Sequence, residues 1–277
     1  MGRTTPGGAS RAPARKLRLI LIGALVAGAL STLESAVASA SGSATLYAYP
    51  NGTQTSPTSC PSTTASSSEC SLAGAIALAE SSTYTGDNVT IVLAAGGYAN
   101  ASNFSIADSN AGSLTLDGSA GAVLCGPLAP AAETACSGLT STASTTASLV
   151  TLGTSSTPVT FSDLTITGGE SSGEGGAGIS CNEATESVTL IGSTVSDNSA
   201  SGDGGGIDCA GPLTITSSSV VSNTATGTAA YGGGVFAPTL TVTDSVISDN
   251  TVTPSGTGGY TFGGGIASLP LSRTRWS

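Results

Sequence analysis

The stretch GDGGGIDCAG, from Gly202 to Gly211, carries two carboxylates five residues apart, Asp203 and Asp208, with Cys209 beside the second. By residue type these are the best candidates for chemistry. A carboxylate pair can hydrolyse a glycosidic bond when one member is held protonated and the other ionised. The pair must then lie about 5–5.5 Å apart for retention, or about 6.5–9.5 Å for inversion. Asp197, Asp244 and Asp249 extend the set, but Asp197 and Asp249 recur beside repeated asparagines, which reads as turn chemistry. Glu170, Glu174, Glu183 and Glu186 gather near one loop edge. Their oxygens suit a hard ion such as calcium, although the preferred reading is a solvated acidic rim. No catalytic, cofactor-binding or metal residue is therefore assigned, and calcium is the one cofactor left open.

What the chain lacks narrows its chemistry further. Between Arg18 and Arg273 there is no Lys, Arg or His. That span offers no imidazole base, no lysine nucleophile and no guanidinium clamp. Elimination from a uronate needs a base and a cation at the developing enolate, and a tyrosine of ordinary pKa, about 10, is a poor base. Beyond Ala40 the net charge is near −14, with Arg273 and Arg275 as the only cations. Such a surface repels nucleic acid and anionic lipid. The expectation is a structural or interaction scaffold without catalysis, secreted or held at the cell surface. Its candidate partners are an extracellular glycan or a surface protein. The alternative is a carboxylate-based polysaccharide hydrolase. Tyr231, Phe236, Tyr260 and Phe262, near adjacent glycine clusters, form the one aromatic stripe on which a sugar could stack.

The elements that position these residues repeat. Val188, Leu190, Val195 and Asn198 share their offsets with Leu213, Ile215, Val220 and Asn223, and with Leu240, Val242, Ile247 and Asn250. An earlier unit has Val159, Phe161 and Ile166, with Gly169 in the asparagine slot. Side chains at i and i+2 share one face of a strand, so VTL, LTI and LTV read as short strands with two residues in and one threonine out. A second strand holds Val195, Val220 or Ile247, and a third holds Ile179, Ile207, Val235 or Ile266. Three short strands in each coil of about 25–29 residues predict an all-β, right-handed parallel β-helix, a solenoid whose coils bury their apolar faces only by stacking. A β-sandwich does not need the same four offsets three times running.

The glycine triplets 204–206, 232–234 and 263–265 enter the third strand. They permit positive φ and close approach between coils; a phosphate-binding loop would need a lysine and a following helix. Asn198, Asn223 and Asn250 are expected to take left-handed geometry at a bend and to hydrogen-bond from coil to coil. Cys181 and Cys209 each lie two residues after a strand isoleucine. Stacked strands are about 4.8 Å apart, within the Cα separations of about 4.4–6.8 Å that disulfides accept, so an inter-coil bridge is predicted. Cys60 with Cys70 and Cys125 with Cys136 would pair locally.

Residues 1–40 read as a secretory signal peptide: a basic start, an apolar run from Leu19 to about Leu30, then Ala-x-Ala sites near Ala40. No membrane span is expected after cleavage. The solenoid domain is placed at 41–267, with irregular coils over 60–158 and regular repeats over 159–267. Residues 268–277 abandon the repeat, as a truncated or frame-shifted end would. Glu69–Glu80, ECSLAGAIALAE, is the one plausible helix, an amphipathic cap in which Leu72, Ile76 and Ala79 share a face.

Cys70-Ser71-Leu72-Ala73-Gly74-Ala75-Ile76 resembles the Cys-Ser-Leu-Arg-Glu-Ala motif that opens a family of bacterial secreted proteins, with Ala73 and Gly74 in place of Arg and Glu. TIVLAAGGY, Thr90 to Tyr98, is similar to the same family. The asparagine corners with their GGGI runs resemble extracellular right-handed β-helix proteins of the pectin-lyase-like superfamily, over roughly residues 60–267. That resemblance implies the fold. Its members include polysaccharide lyases, hydrolases and adhesins, and the basic and histidine residues that its lyases and hydrolases use are missing here.

Overall fold

The computed structural model describes residues 42–268 apart from 51, 54, 62–68, 100–102, 108–109, 138, 140–146, 154–155, 174 and 257–258. The expected signal peptide, Glu174 and all of the tail after Ser268 lie outside the described residues. The chain winds into a right-handed parallel β-solenoid. The first sheet stacks seven strands: Ser43–Ala48, Asn88–Leu93, Ser113–Asp117, Val159–Ser162, Val188–Ile191, Pro212–Thr216 and Thr239–Thr243. The second stacks six, from Gly96–Tyr98 through Thr194–Ser196 and Ser219–Val221 to Val246–Ser248. Another six-stranded sheet runs from Phe104–Ile106 through Ile179–Cys181 and Ile207–Cys209 to Val235–Phe236 and Ile266–Ala267.

The repeat offsets translate directly into register. Val159, Val188, Leu213 and Leu240 are successive partners, as are Ile166, Val195, Val220 and Ile247. Ile179, Ile207, Val235 and Ile266 form a third row. Each row faces inward, and the rows together form one continuous core. The intervening Thr160, Thr189 and Thr214 face outward and are half-buried, where β-branched side chains suit the pleated surface. Val242 and Ile266, on the last described coil, are exposed because no described coil stacks on them.

The sequence reading of three strands per coil needs correction: there are four sheets. The additional one is short, with strands Glu170–Ser171, Ser199–Ala200, Thr224–Gly227 and Thr251–Pro254. It begins immediately after the asparagine corner. Its buried inner residues, Ser171, Ala200 and Ala225, are small, so two to four residues give no apolar alternation that stands out from a loop.

The corners also differ from expectation in detail. Positive φ falls on the residue before each asparagine: 54° at Asp197, 57° at Ser222 and 56° at Asp249. This sharp turn leaves the asparagine side chain pointing into the stack. Asn198 Nδ2 donates to Asn223 Oδ1 at 2.9 Å, and Asn223 Nδ2 donates to Asn250 Oδ1 at 2.9 Å. Each Oδ1 also accepts the backbone N–H of the preceding rung, Asn198 N at 3.1 Å and Asn223 N at 2.9 Å. Gly169 starts the ladder by donating its N–H to Asn198 Oδ1 at 2.7 Å; a Cβ there would collide with the Ala177 carbonyl.

A second ladder, which the sequence reading missed, lines the corner between the first two sheets. Leu164 N donates to Ser193 Oγ at 3.2 Å, Ser193 N to Ser218 Oγ at 3.1 Å, and Ser218 N to Ser245 Oγ at 3.1 Å. Again a left-handed residue precedes each rung: Asp163, Gly192, Ser217 and Asp244. The signal was available as a serine five residues after each strand's first inner residue, but serine is too common in this chain to stand out.

The helix is present over Leu72–Ala79, with Ser71 as N-cap, its Oγ accepting Gly74 N–H at 3.0 Å. It packs against Ser43–Ala48, Asn88–Leu93 and Phe104–Ile106. It is not the amphipathic element expected: Leu72, Gly74, Ala75, Ile76, Leu78 and Ala79 are all buried. No helix among the described residues is long and apolar enough to cross a membrane. The three disulfides match expectation, Cys60–Cys70, Cys125–Cys136 and the inter-coil Cys181–Cys209, whose Cα atoms are 4.5 Å apart.

Asn223 is the central rung, fully buried and bonded on both sides. Asn223→Ala strands buried backbone donors and carbonyls, which costs about 1–3 kcal/mol. Thermal melts should show a clear fall in Tm for Asn223→Ala and a smaller one for the half-buried Asn250→Ala. Equal melting of Asn223→Ala and the parent would show that the ladder carries no stability.

Candidate functional site

In-register stacking turns sequence positions into columns on the outer surface. Four residues before each strand isoleucine or valine stand Gly175, Asp203, Tyr231 and Phe262; one residue after it stand Ser180, Asp208, Phe236 and Ala267. Asp203 and Asp208 thus occupy one coil on neighbouring columns, with Tyr231 and Phe236 one coil further along. Asp203 Oδ1 accepts the Tyr231 backbone N–H at 2.9 Å. The Asp208 carboxylate lies over Gly175, where a Cβ would overlap it. Gly175 also has a φ of 86°, a conformation that favours glycine.

Three of the four aromatic residues of the proposed stripe, Tyr231, Phe236 and Phe262, come together. Tyr231 and Phe262 are bridged by their backbones and stack with ring centroids 5.8 Å apart and planes 7° from parallel. The Tyr231 and Phe236 rings lie 6.0 Å apart. Phe236 is buried, while Phe262 is 58 % exposed and Tyr260 72 % exposed. Asp197, Asp249 and Asp244 are elsewhere, at the left-handed positions of the other two corners. The glycine runs behave as scaffold: Gly204, Gly232 and Gly263 have φ of 57°, 64° and 68°.

The glutamate group does not form the solvated rim expected. Glu183 is exposed and Glu170 half-buried, but Glu186 is only 1 % exposed. Glu186 Oε2 accepts Glu183 N–H at 3.1 Å, and Glu186 N donates back to Glu183 O at 3.1 Å. The side chain closes its own loop, and Oε1 has no hydrogen-bond partner. Burial pushes the Glu186 carboxyl above the usual range; the bond from Glu183 N–H acts against the shift and the Glu183 charge adds to it. Among the described residues, no three His, Cys, Asp or Glu side chains come together as a metal site.

Two shallow hollows lie on other parts of the surface. One, of about 260 Å³, is lined by Ala129, Pro130, Glu133 and Cys136 among others; Glu133 is its one carboxylate. The other, of about 200 Å³, is bordered by Tyr49, Leu72, Tyr98 and Phe104. Tyr98 donates its hydroxyl to the carbonyls of Ala48 and Ala94, at 2.8 and 3.0 Å, and burial pushes its pKa up. That shift is the wrong direction for a base.

Comparison with protein-family models, with curated proteins and with solved structures finds no match to this chain in any of the three.

The Glu186 shift sets a pH dependence. A carboxyl whose native pKa lies above its unfolded value binds its proton more tightly when folded. It therefore lowers stability as pH rises from the ordinary carboxylate range through the raised native value. Glu186→Gln should raise Tm at about pH 7 and lose that advantage by about pH 3, well below the ordinary glutamate pKa of about 4.3, where both states of the parent are protonated. Melts of both proteins across this range read the difference. A variant less stable than the parent at neutral pH would show that Glu186 is held as a stabilising anion.

Proposed function

We propose that this chain is an exported, non-catalytic β-solenoid scaffold that presents an interaction surface outside the cell or at its surface. The observation that carries the reading is chemical: residues 19–272 hold no lysine, arginine or histidine. Lyase chemistry on an acidic sugar would have to proceed without a cationic side chain from this span. Export is supported by the leader-like residues 1–40 and by six cysteines paired into three disulfides, as suits an oxidising compartment. The likeness of the Cys70–Ile76 motif and of the GGGI corners to secreted pectin-lyase-like β-helix proteins agrees with this reading. The helix Leu72–Ala79 is assigned the role of closing the N-terminal end of the stack, where an open sheet edge would invite pairing with other chains.

The second reading, a carboxylate-based glycan hydrolase, is favoured by one observation, the placement of Asp203 and Asp208 on neighbouring columns of the same coil. Incubating the purified chain with acidic and neutral polysaccharides, with calcium present, separates the two. The scaffold reading expects no new reducing ends and no ultraviolet absorbance from unsaturated ends. Turnover that disappears in a folded Asp203→Asn, Asp208→Asn double variant would instead establish the hydrolase.

A further inference from the structure

We infer that the outer face of the first sheet, along its column of threonines, is a binding surface for ice. The inference rests on the reading of the chain as an exported, non-catalytic interaction scaffold and gives that scaffold a face and a ligand.

Three observations converge on it, and the first is the register. Thr90, Thr115, Thr160, Thr189 and Thr214 are successive strand partners, and Thr45 and Thr241 extend the column at its two ends. Every strand of the seven-stranded sheet thus places a threonine at the same outward position. The five inner members have a strand on both sides and are half-buried, so the face belongs to the wall of the solenoid and not to its end. Stacked strands repeat at about 4.8 Å. That repeat lies within a few tenths of an ångström of the oxygen repeat along the a axis of hexagonal ice.

The second observation is the chemistry of the column. None of the seven threonine hydroxyls bonds to another described residue, and none is buried, so each can hold a water. Threonine is stiff at χ1 and the strands fix its backbone. Hydroxyls and methyls are therefore arrayed before any ligand arrives, which limits the ordering cost of binding. A bridging water bonds nearly as well as a direct partner, and waters held at the spacing of an ice row can join the crystal. From Val159 onward the adjacent outward column, Ser162, Ile191, Thr216 and Thr243, widens the face with hydroxyl and β-branched side chains. The serine ladder borders this sheet; side-chain ladders are among the devices that keep a many-stranded sheet flat, and a crystal plane needs a flat partner.

The third is what the face lacks. Of the 17 Asp and Glu residues in the chain, only Asp117 lies on a strand of this sheet, and none lies on its strands from Val159 onward. A charge would hold its own hydration shell against the lattice. Nucleic acid and anionic lipid need cations, which are missing from this face as well. Protein interfaces are anchored on buried aromatic and arginine side chains, and the strands from Val159 onward turn neither type outward. Ice requires neither charge nor anchor, only an uncharged array in step with its own repeat.

The test uses the full purified chain in two measurements. Slow growth of an ice hemisphere separates protein taken into the crystal from protein left in the liquid. Osmometry on a single ice crystal reads the gap between its melting and growth temperatures. The variants are Thr160→Tyr and Thr189→Tyr, at the centre of the column, and Thr194→Tyr, an outward threonine of the second sheet, as control. Tyrosine suits an outward strand position, as Tyr47 already shows in this sheet, and circular dichroism and Tm confirm folding. The expected result is that the parent is enriched in the ice over a serum albumin standard and opens a temperature gap. Thr160→Tyr and Thr189→Tyr should lose both, because one ring standing proud of the row lifts a rigid crystal from its neighbours. Thr194→Tyr should behave as the parent does.

Exclusion of the parent from the ice, with no temperature gap, overturns the inference. So does ice activity that folded Thr189→Tyr retains, or that folded Thr194→Tyr loses as fully. A concentration-dependent dimer in sedimentation that Thr189→Tyr abolishes also overturns it, since the face would then be a self-interface. New reducing ends in the polysaccharide incubations would end the non-catalytic reading while ice activity lost in Thr189→Tyr left the face standing. Loss of the ice face alone leaves the scaffold reading intact.

Discussion

A parallel solenoid depends on turning its chain at every corner without abandoning polar backbone groups inside the stack. Buried N–H and carbonyl groups must be paired, and a bend cannot pair them through the regular ladder. Here the second corner solves the problem with one side chain per coil. Asn198, Asn223 and Asn250 each offer an oxygen to the backbone N–H of the rung before, and Asn223 and Asn250 also to its side-chain amide, while their Nδ2 groups reach the carbonyls of Ile166, Val195 and Val220 at 3.3, 3.0 and 2.8 Å. The serine ladder does the same at the preceding corner, with Oγ accepting from the neighbouring coil and donating to a carbonyl. Because each rung's side-chain oxygen accepts from the equivalent position of the neighbouring coil, the ladders fix register as well as satisfying donors.

Fixed register is what gives the outer surface meaning. A one-residue slip would turn every inner valine, leucine and isoleucine outward, and would scatter the Gly175, Asp203, Tyr231, Phe262 column. The Cys181–Cys209 bridge ties two adjacent coils in this same register. The aromatic face and its two carboxylates are therefore a product of the corner chemistry.

Much of this was legible in the sequence because the inner rows are apolar and strictly spaced. The four offsets anchored on asparagine predict the pairings of the first two sheets from Val159 onward, and the row of strand isoleucines predicts the third and, with it, the pairing of Cys181 with Cys209. What stayed hidden was carried by residues without a distinctive signature. The fourth sheet turns inward only serine, alanine and one valine, and serines are everywhere in the chain. The left-handed residue could not be assigned from composition, since Asp197, Ser222 and Asp249 share no side chain that demands it. Glu186 read as surface because carboxylates are seldom fully buried; only the fold of its loop shows that it bonds Glu183 N–H from inside. At the candidate site, the aromatic stripe was legible from its spacing to the glycine triplets. The alignment of Asp203 with Tyr231 needed the coils to be counted back from their paired isoleucines.

The central claim is that side-chain ladders at the corners, and not only the apolar core, hold the coils in register. Backbone amide hydrogen exchange at Asn198 and Asn223 tests it most directly, because their N–H groups are bonded to the Oδ1 atoms of the next rung and to no sheet partner. The account predicts that these two amides exchange as slowly as the central strand amides of Val195 and Val220. Exchange as fast as that of the exposed residues 183–185 would contradict it, and would leave the apolar rows alone to set the register.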